Sequence, residues 1–270
     1  MLEPLIPAAP THRGGRPREV ARGAVVQTSL SLTRRGGQGE RLPHEWLPKS
    51  TVDDYGARWR DDGTWAKRRE LWRAQSRGHA GREPTPSAAG SDRPAVKTTA
   101  MGGAERGEEG GPRVKGRQRP LVGETLGVWL AVWSTGAGLD AGVAAPLRLQ
   151  PSEPHAVPRL ETLCAAHPSP QHALHAWMEA PRPTWHIAVK TRPAGSTGGT
   201  PLAKRGVVAR TTAWHGRSRR HRTDDERQPA SSTAMLSLRH SHLMLRRRTS
   251  HRRPEFPDRK VAAEPLKFVS

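Results

Sequence analysis

The sequence predicts an α/β protein with a small helical region ahead of its sheet. Three observations lead there. Tyr55, Trp59, Trp65, Leu71 and Trp72 recur at helical spacing over residues 52–77. Short candidate strands at 94–100, 114–123, 127–134, 161–165 and 186–191 follow a break rich in Pro, Ser, Ala and Gly. Helical patterns return at 172–179 and 207–220. Strands first and helices later, in a mixed order, suit an α/β layer fold.

Taken in order, residues 14–18 (GGRPR) read as an exposed basic turn, and residues 21–32 have weak helical character that RRGGQG at 34–39 interrupts. Pro43 and Pro48 mark a turn into a new helix, with Ser50 or Thr51 as its expected cap. Residues 52–77 divide into two helical pieces at Asp61-Asp62-Gly63. Residues 82–91 have linker composition, and a Gly/Glu loop over 102–111 separates the first two candidate strands. In GVVARTTAWHGRSRRHRTDDERQ (206–228), Val207, Val208, Thr211 and Trp214 line one helical face. Arg210, Arg217, Arg219, Arg220 and Arg222 then form a dense basic run. An element packed on a core by one face and carrying clustered arginines suits contact with a phosphate backbone.

Composition sets bounds. Lys and Arg number 45 against 25 Asp and Glu, a formal net charge of +20, and 37 of the 45 are Arg. That balance points to a polyanionic partner, nucleic acid ahead of membrane, although a GC-rich genome gives the same arginine bias. Leu, Ile, Val and Phe total 42 of 270 residues; this is below the ~20% under which highly charged chains tend to disorder. A sizeable core therefore depends on the nine Trp. The single Cys164 excludes an internal disulfide and a multi-Cys zinc site, and it fits a reducing cytoplasm. Residues 1–10 show no secretory leader. The longest apolar stretch, 126–139, is too short to span a bilayer. His240 with His242, or His172 with His175, could pair at a metal, but no third ligand sits at zinc spacing, so exposed or capping roles fit them better.

Several motifs carry a resemblance. The 207–220 segment is similar to a helix of the form W-V-V-E-R-T-x-A-W-x-G-R-x-R-R, through Val207, Val208, Arg210, Thr211, Ala213, Trp214, Gly216, Arg217, Arg219 and Arg220. Asp224, Glu226, Arg227 and Pro229 match the K-D-Y-E-R-x-P that follows it. Near the N-terminus, Leu2, Pro4, Leu5 and Pro7 match L-x-P-L-L-P, and residues 14–18 match G-G-R-P-R. Leu42, Pro43, His44, Pro48, Thr51, Val52, Tyr55, Arg58, Trp59, Asp62, Gly63, Thr64 and Trp65 match L-P-H-x-x-P-x-x-T-V-x-x-Y-x-x-R-W-x-x-D-G-T-W. These patterns resemble DDE transposases of bacterial insertion sequences, in the IS-four/IS-five superfamily. The resemblance implies a helix-turn-helix-like DNA-binding region over 1–80, a linker over 81–91, a ribonuclease-H-like domain over 92–250 and a disordered tail over 251–270.

The resemblance also implies a chemistry: Mg²⁺-dependent in-line phosphoryl transfer on DNA, with three acids from two strands and a helix holding the metals. SAAGSDRPAVKTT (87–99) places Asp92 on the first acid, where it would ligate metal. PRLETLCAAHPSPQHALHAWM (158–178) places Ala166 on the second, and Ala209 falls on the third. Alanine can neither bind a metal nor accept a proton, and Asp140, Glu161 and Glu179 do not sit on the expected strand end. Gly90 and Ser91 stand where the family has apolar strand residues, and Pro94 is expected to remove a ladder hydrogen bond. Arg16, Arg18, Lys97, Lys115 and Arg117 join Arg210, Arg217, Arg219 and Arg220 as candidate DNA contacts. The implied partner is double-stranded DNA at transposon ends, with room for a homodimer and no membrane, in the bacterial cytoplasm at the nucleoid. Three readings stay open: a diverged transposase with a decayed centre, an inert DNA-binding remnant, and a poorly folded product of a pseudogene.

Overall fold

The computed structural model describes residues 20–99, 103, 105–108, 114–137, 158–165, 186–189 and 206–249. It opens with three helices, α1 (Arg22–Arg35), α2 (Lys49–Asp61) and α3 (Thr64–His79). α2 and α3 part where the sequence predicts. Gly63 takes a left-handed φ of 73°, and Asp62 Oδ1 accepts the Thr64 N–H at 2.8 Å. The start of α2 differs from expectation: it begins behind Pro48 with no side-chain cap, so Ser50 and Thr51 lie inside its first turn. Lys49 there pairs with Glu40. The weak helical signal at 21–32 becomes a full helix running to Arg35, closed by Gly36.

The strands form two sheets. The larger contains β1 (Ala88–Asp92), β5 (Leu121–Glu124), β6 (Trp129–Val132), β8 (Thr162–Ala165) and β9 (His186–Val189), in the order β6-β5-β1-β8-β9. β1, β5 and β6 are antiparallel neighbours, whereas β8 and β9 run parallel to β1. The smaller sheet contains β2 (Ala95–Lys97), β3 (Gly107–Glu108), β4 (Lys115–Gln118) and β7 (Thr135–Gly136), all paired through β4. The candidate strand at 114–123 is thus two strands, broken at Arg119-Pro120, because proline has no N–H for a ladder. The linker reading of 81–91 ends early, since β1 begins at Ala88. Pro94 interrupts nothing: it lies between β1 and β2, and its carbonyl accepts the Arg119 N–H at 2.9 Å.

Two helices close the fold. α4 (Gly206–Gly216) is followed by a 3-10 turn at Arg219–His221, so the predicted 207–220 helix ends short, and then by α5 (Pro229–Thr249). The predicted helix at 172–179 lies outside the described residues. α4 lies across β1 and β5, where the paired Gly90 and Gly123 keep the strand surface low; a Cβ on Gly123 would meet Val208 of α4 at 3.4 Å. Gly127, in the β5–β6 turn, has φ 74°, and a Cβ there would meet Thr211 Oγ1 at 2.3 Å. Thr211 instead donates to the Gly127 carbonyl at 3.0 Å.

α5 contributes to each of three cores among the described residues. Its Leu238 joins Val25, Val26, Tyr55, Trp59 and Trp65 of the N-terminal helices. Its Leu236 joins Leu121, Trp129, Val132 and Val208 beside the sheet, and its Met244 joins Trp72 and Val128. In the first core Trp59 stands edge-on to Trp65, with ring centroids 5.2 Å apart, a geometry worth about 1 kcal/mol beyond the area it buries. The tryptophans therefore fill volume that the scarce aliphatics leave.

Candidate functional site

Asp92 is the last residue of β1, at the end of the central strand of the larger sheet. Its Oδ1 accepts the Arg93 N–H at 3.0 Å and its Oδ2 the Thr212 hydroxyl at 3.4 Å. Thr212 lies on α4 three residues past Ala209, so one helical turn separates the position of the third implied acid from the residue that touches Asp92. β8 runs parallel to β1 with Gly90 opposite Cys164. Asp92 is two residues beyond Gly90 and Ala166 two beyond Cys164, although Ala166 itself lies outside the described residues. Two strands and a helix therefore converge on this end of the sheet, and among the described residues the strand-end carboxylate there is that of Asp92.

The residues in place do not fit a pair of Mg²⁺ ions. A hard divalent cation takes several oxygen ligands, and carboxylates supply the charge. Asp92 is held by a hydroxyl and an amide N–H, both donors. Among the described residues no group of three or more His, Cys, Asp or Glu could hold a metal ion.

The candidate DNA contacts do not form one set. Arg117 is 0% exposed, and its guanidinium donates to Asp224 Oδ1 (3.2 Å) and to the carbonyls of Glu226 (2.7 Å) and Arg227 (3.0 Å). That removes it from any surface role; its charge is spent inside. Lys97 and Lys115 are exposed but on opposite faces, since Lys97 pairs with Gly116 and successive strand residues alternate sides. Arg220 is tied to Glu226 at 2.7 Å. Arg210 is exposed and lies 5.5 Å from the Trp214 ring centroid. Arg217 and Arg219 are exposed. Arg16 and Arg18 lie outside the described residues.

Sequence reasoning missed the interior chemistry beside this site. Asp224 is fully buried: its carboxylate faces Arg117, Arg119 (3.5 Å) and the Ser232 hydroxyl (2.6 Å), while its backbone bonds Lys97 and Thr99. The D-x-E-R match at 224–227 thus clamps the segment after α4 onto β2 and β4. Alternating Arg117 and Arg119 on a predicted strand was the available clue. His215, His221 and His240 form a second buried group. Trp129 stacks on His215 (3.8 Å) and His240 (4.5 Å). The Trp129 backbone N–H, on the edge strand β6, donates to His240 Nε2 at 2.8 Å, so the neutral histidine ring carries its proton on Nδ1 and gives it to His215 Nε2 at 3.2 Å. Burial, reinforced by neighbouring His240 and arginines, holds His215 well below its ordinary pKa; burial and nearby arginines do the same for His240, and bring His221 to about 3. His240 is a core residue, neither exposed nor capping.

A family model described as "Putative transposase of IS4/5 family (DUF4096)" matches residues 1–68. That similarity supports a transposase-like function. It spans about a quarter of the chain and covers α1, α2 and the first turn of α3, so Asp92, the sheets and α4 lie beyond the transposase match. No curated protein and no solved structure matches the chain. No helix among the described residues is long and apolar enough to cross a membrane.

Proposed function

We propose that the protein is an insertion-sequence transposase-like protein of the DDE type that binds double-stranded transposon-end DNA, with cleavage and strand transfer impaired by the loss of two metal-binding carboxylates. One observation carries the reading: Asp92 ends the central strand beside a parallel strand leading to Ala166 and against the helix that bears Ala209. This is the two-strand-and-helix arrangement expected of a ribonuclease-H-like centre, with one acid remaining. The N-terminal helices α1–α3 take the helix-turn-helix-like part. Lost ligands remove both the positioning of a metal and the charge it sets against the transition state.

Purified protein with Mg²⁺ and transposon-end duplex is expected to give no cleavage. Ala166→Asp with Ala209→Glu is expected to restore Mn²⁺ binding, measured by calorimetry, whereas neither change alone suffices. A folded double variant that binds no Mn²⁺ would sink the convergent-acid reading. Cleavage by the unaltered protein that Asp92→Asn abolishes would show that other groups replace the two acids.

A further inference from the structure

We propose that duplex DNA is held on a surface built jointly by the C-terminal end of α1 and the turn after α4, through Arg34, Arg35, Arg217, Arg219 and Arg222. The inference rests on the reading of the chain as a DNA-binding, transposase-like protein and says where the phosphates land. α1 and the arginine run are far apart in sequence, and the fold presses them together. Gly36 ends α1 with φ +68°, and a Cβ there would lie 2.7 Å from Arg219 Cβ and 3.1 Å from the Arg220 nitrogen. The two segments therefore meet with no room for an intervening side chain, and all five arginines are exposed.

Most acids nearby are already engaged by cations; Asp225 is exposed and accepts the Thr223 hydroxyl at 3.3 Å. Glu40 pairs with Lys49, Glu226 pairs with Arg220, and Lys49 and Arg220 both act on the Asp53 carboxyl. Of the five, Arg222 spends one N–H on the Gly216 carbonyl at 3.4 Å and keeps its charge. Arg35 lies 5.8 Å from the Trp46 ring centroid, which stacks the guanidinium without neutralising it. The positive field continues along α5. Burial, then Arg239, Arg246 and Arg34, push His242 down to about 4.

Elsewhere the geometry is unsuitable. α3 buries Arg69, Arg73 and Arg77, and α2 presents Asp54 outward. The composition of the surface favours phosphates over a lipid bilayer. Guanidiniums bind phosphate bidentately, whereas a membrane-surface helix also needs large apolar residues to insert. Among the described residues the exposed large hydrophobic is Leu71, on α3.

The test is binding of a fluorescent duplex of arbitrary sequence by the full chain across a salt series. Each neutralised phosphate contributes a slope of about −0.9 in log K against log salt, so five arginines predict a slope of about −4.5. Arg34→Glu with Arg35→Glu, and separately Arg217→Glu with Arg219→Glu, should each weaken binding by about 10-fold or more and reduce the slope by about 2. Arg82→Gln with Arg106→Gln, exposed after α3 and before β3, should leave both unchanged. Circular dichroism and melting verify folding, and Arg→Gln at the same sites repeats the measurement if charge reversal unfolds the chain. The proposal is overturned if the α1 pair binds as the unaltered protein does, if the duplex is not bound at low salt, or if phosphatidylserine vesicles bind and duplex does not. Mn²⁺ binding by the Ala166→Asp, Ala209→Glu protein does not depend on these arginines. Metal binding there without duplex binding overturns the surface alone; duplex binding without metal binding overturns the acid-centre reading alone.

Discussion

His215, His221 and His240 are buried neutral among Arg119, Arg239 and Arg247, so acid works against the fold at these residues. The unfolded chain takes up protons near the ordinary histidine pKa, while the folded chain does so only far lower. Their contribution is complete above about pH 6.5 and is lost as pH falls towards about 3, where His221 titrates. Between pH 7 and 5.5 stability should drop by about 1 kcal/mol per buried histidine. Urea midpoints followed by Trp fluorescence would check this, and His221→Leu, which removes a ring Nε2 with no hydrogen-bond partner, should flatten the dependence by about a quarter to a third, half-buried His242 being lowered as well. A midpoint constant over that range would refute it. Asp224 sets the other sensitive position. Asp224→Ala strands Arg117 in the interior and should cost about 3–5 kcal/mol, read as a fall in urea midpoint; a loss under 1 kcal/mol would show that Arg117 finds another partner. The histidine group was not legible in the sequence, and the Asp224 group showed only in the alternation of Arg117 and Arg119. Histidine and arginine are ordinarily surface residues, and only three-dimensional packing distinguishes a buried, paired Arg117 from an exposed Lys115. The place of Asp92 at a strand end came from the resemblance and not from the residues around it; the roles of Ala166 and Ala209 belong to the proposed function.

At the scale of elements, helices were legible where tryptophan spacing was strong: α2, α3 and the Asp62-Gly63 break between them. Boundaries set by tertiary contact were not. The strand β1 is Ala-Ala-Gly-Ser-Asp, which has no strand signature of its own; it exists because β5 and β8 flank it and α4 needs a low surface. α5 was missed because its apolar positions serve several cores and so do not form one stripe. The β5–β6 turn gives a test of the α4 contact. Gly127→Ala combines a left-handed φ, costing about 1–2 kcal/mol, with a Cβ 2.3 Å from the Thr211 hydroxyl. The variant should lower the melting temperature by several degrees, on the order of 4–8 °C. An unchanged melt would mean that α4 does not sit on that turn.

On the scale of the whole molecule, the division at 80/92 that the resemblance implies does not separate two cores among the described residues, because Leu238 completes the first one. Leu238→Ala should destabilise the chain by about 2–5 kcal/mol, and residues 20–80 alone should show helix by circular dichroism without cooperative melting. A cooperative transition in that fragment would refute the shared core. α5 also fixes an order in time. On a ribosome the N-terminal helices emerge first, yet Val25, Tyr55, Trp59 and Trp65 wait for a leucine that arrives about 160 residues after α3 is complete, roughly 10–30 s later at ordinary elongation rates. Through that interval a sticky aromatic surface is presented to the cell on a strongly basic nascent chain. A message cut anywhere before α5 yields a product that never closes, which makes such fragments natural prey for chaperones and proteases.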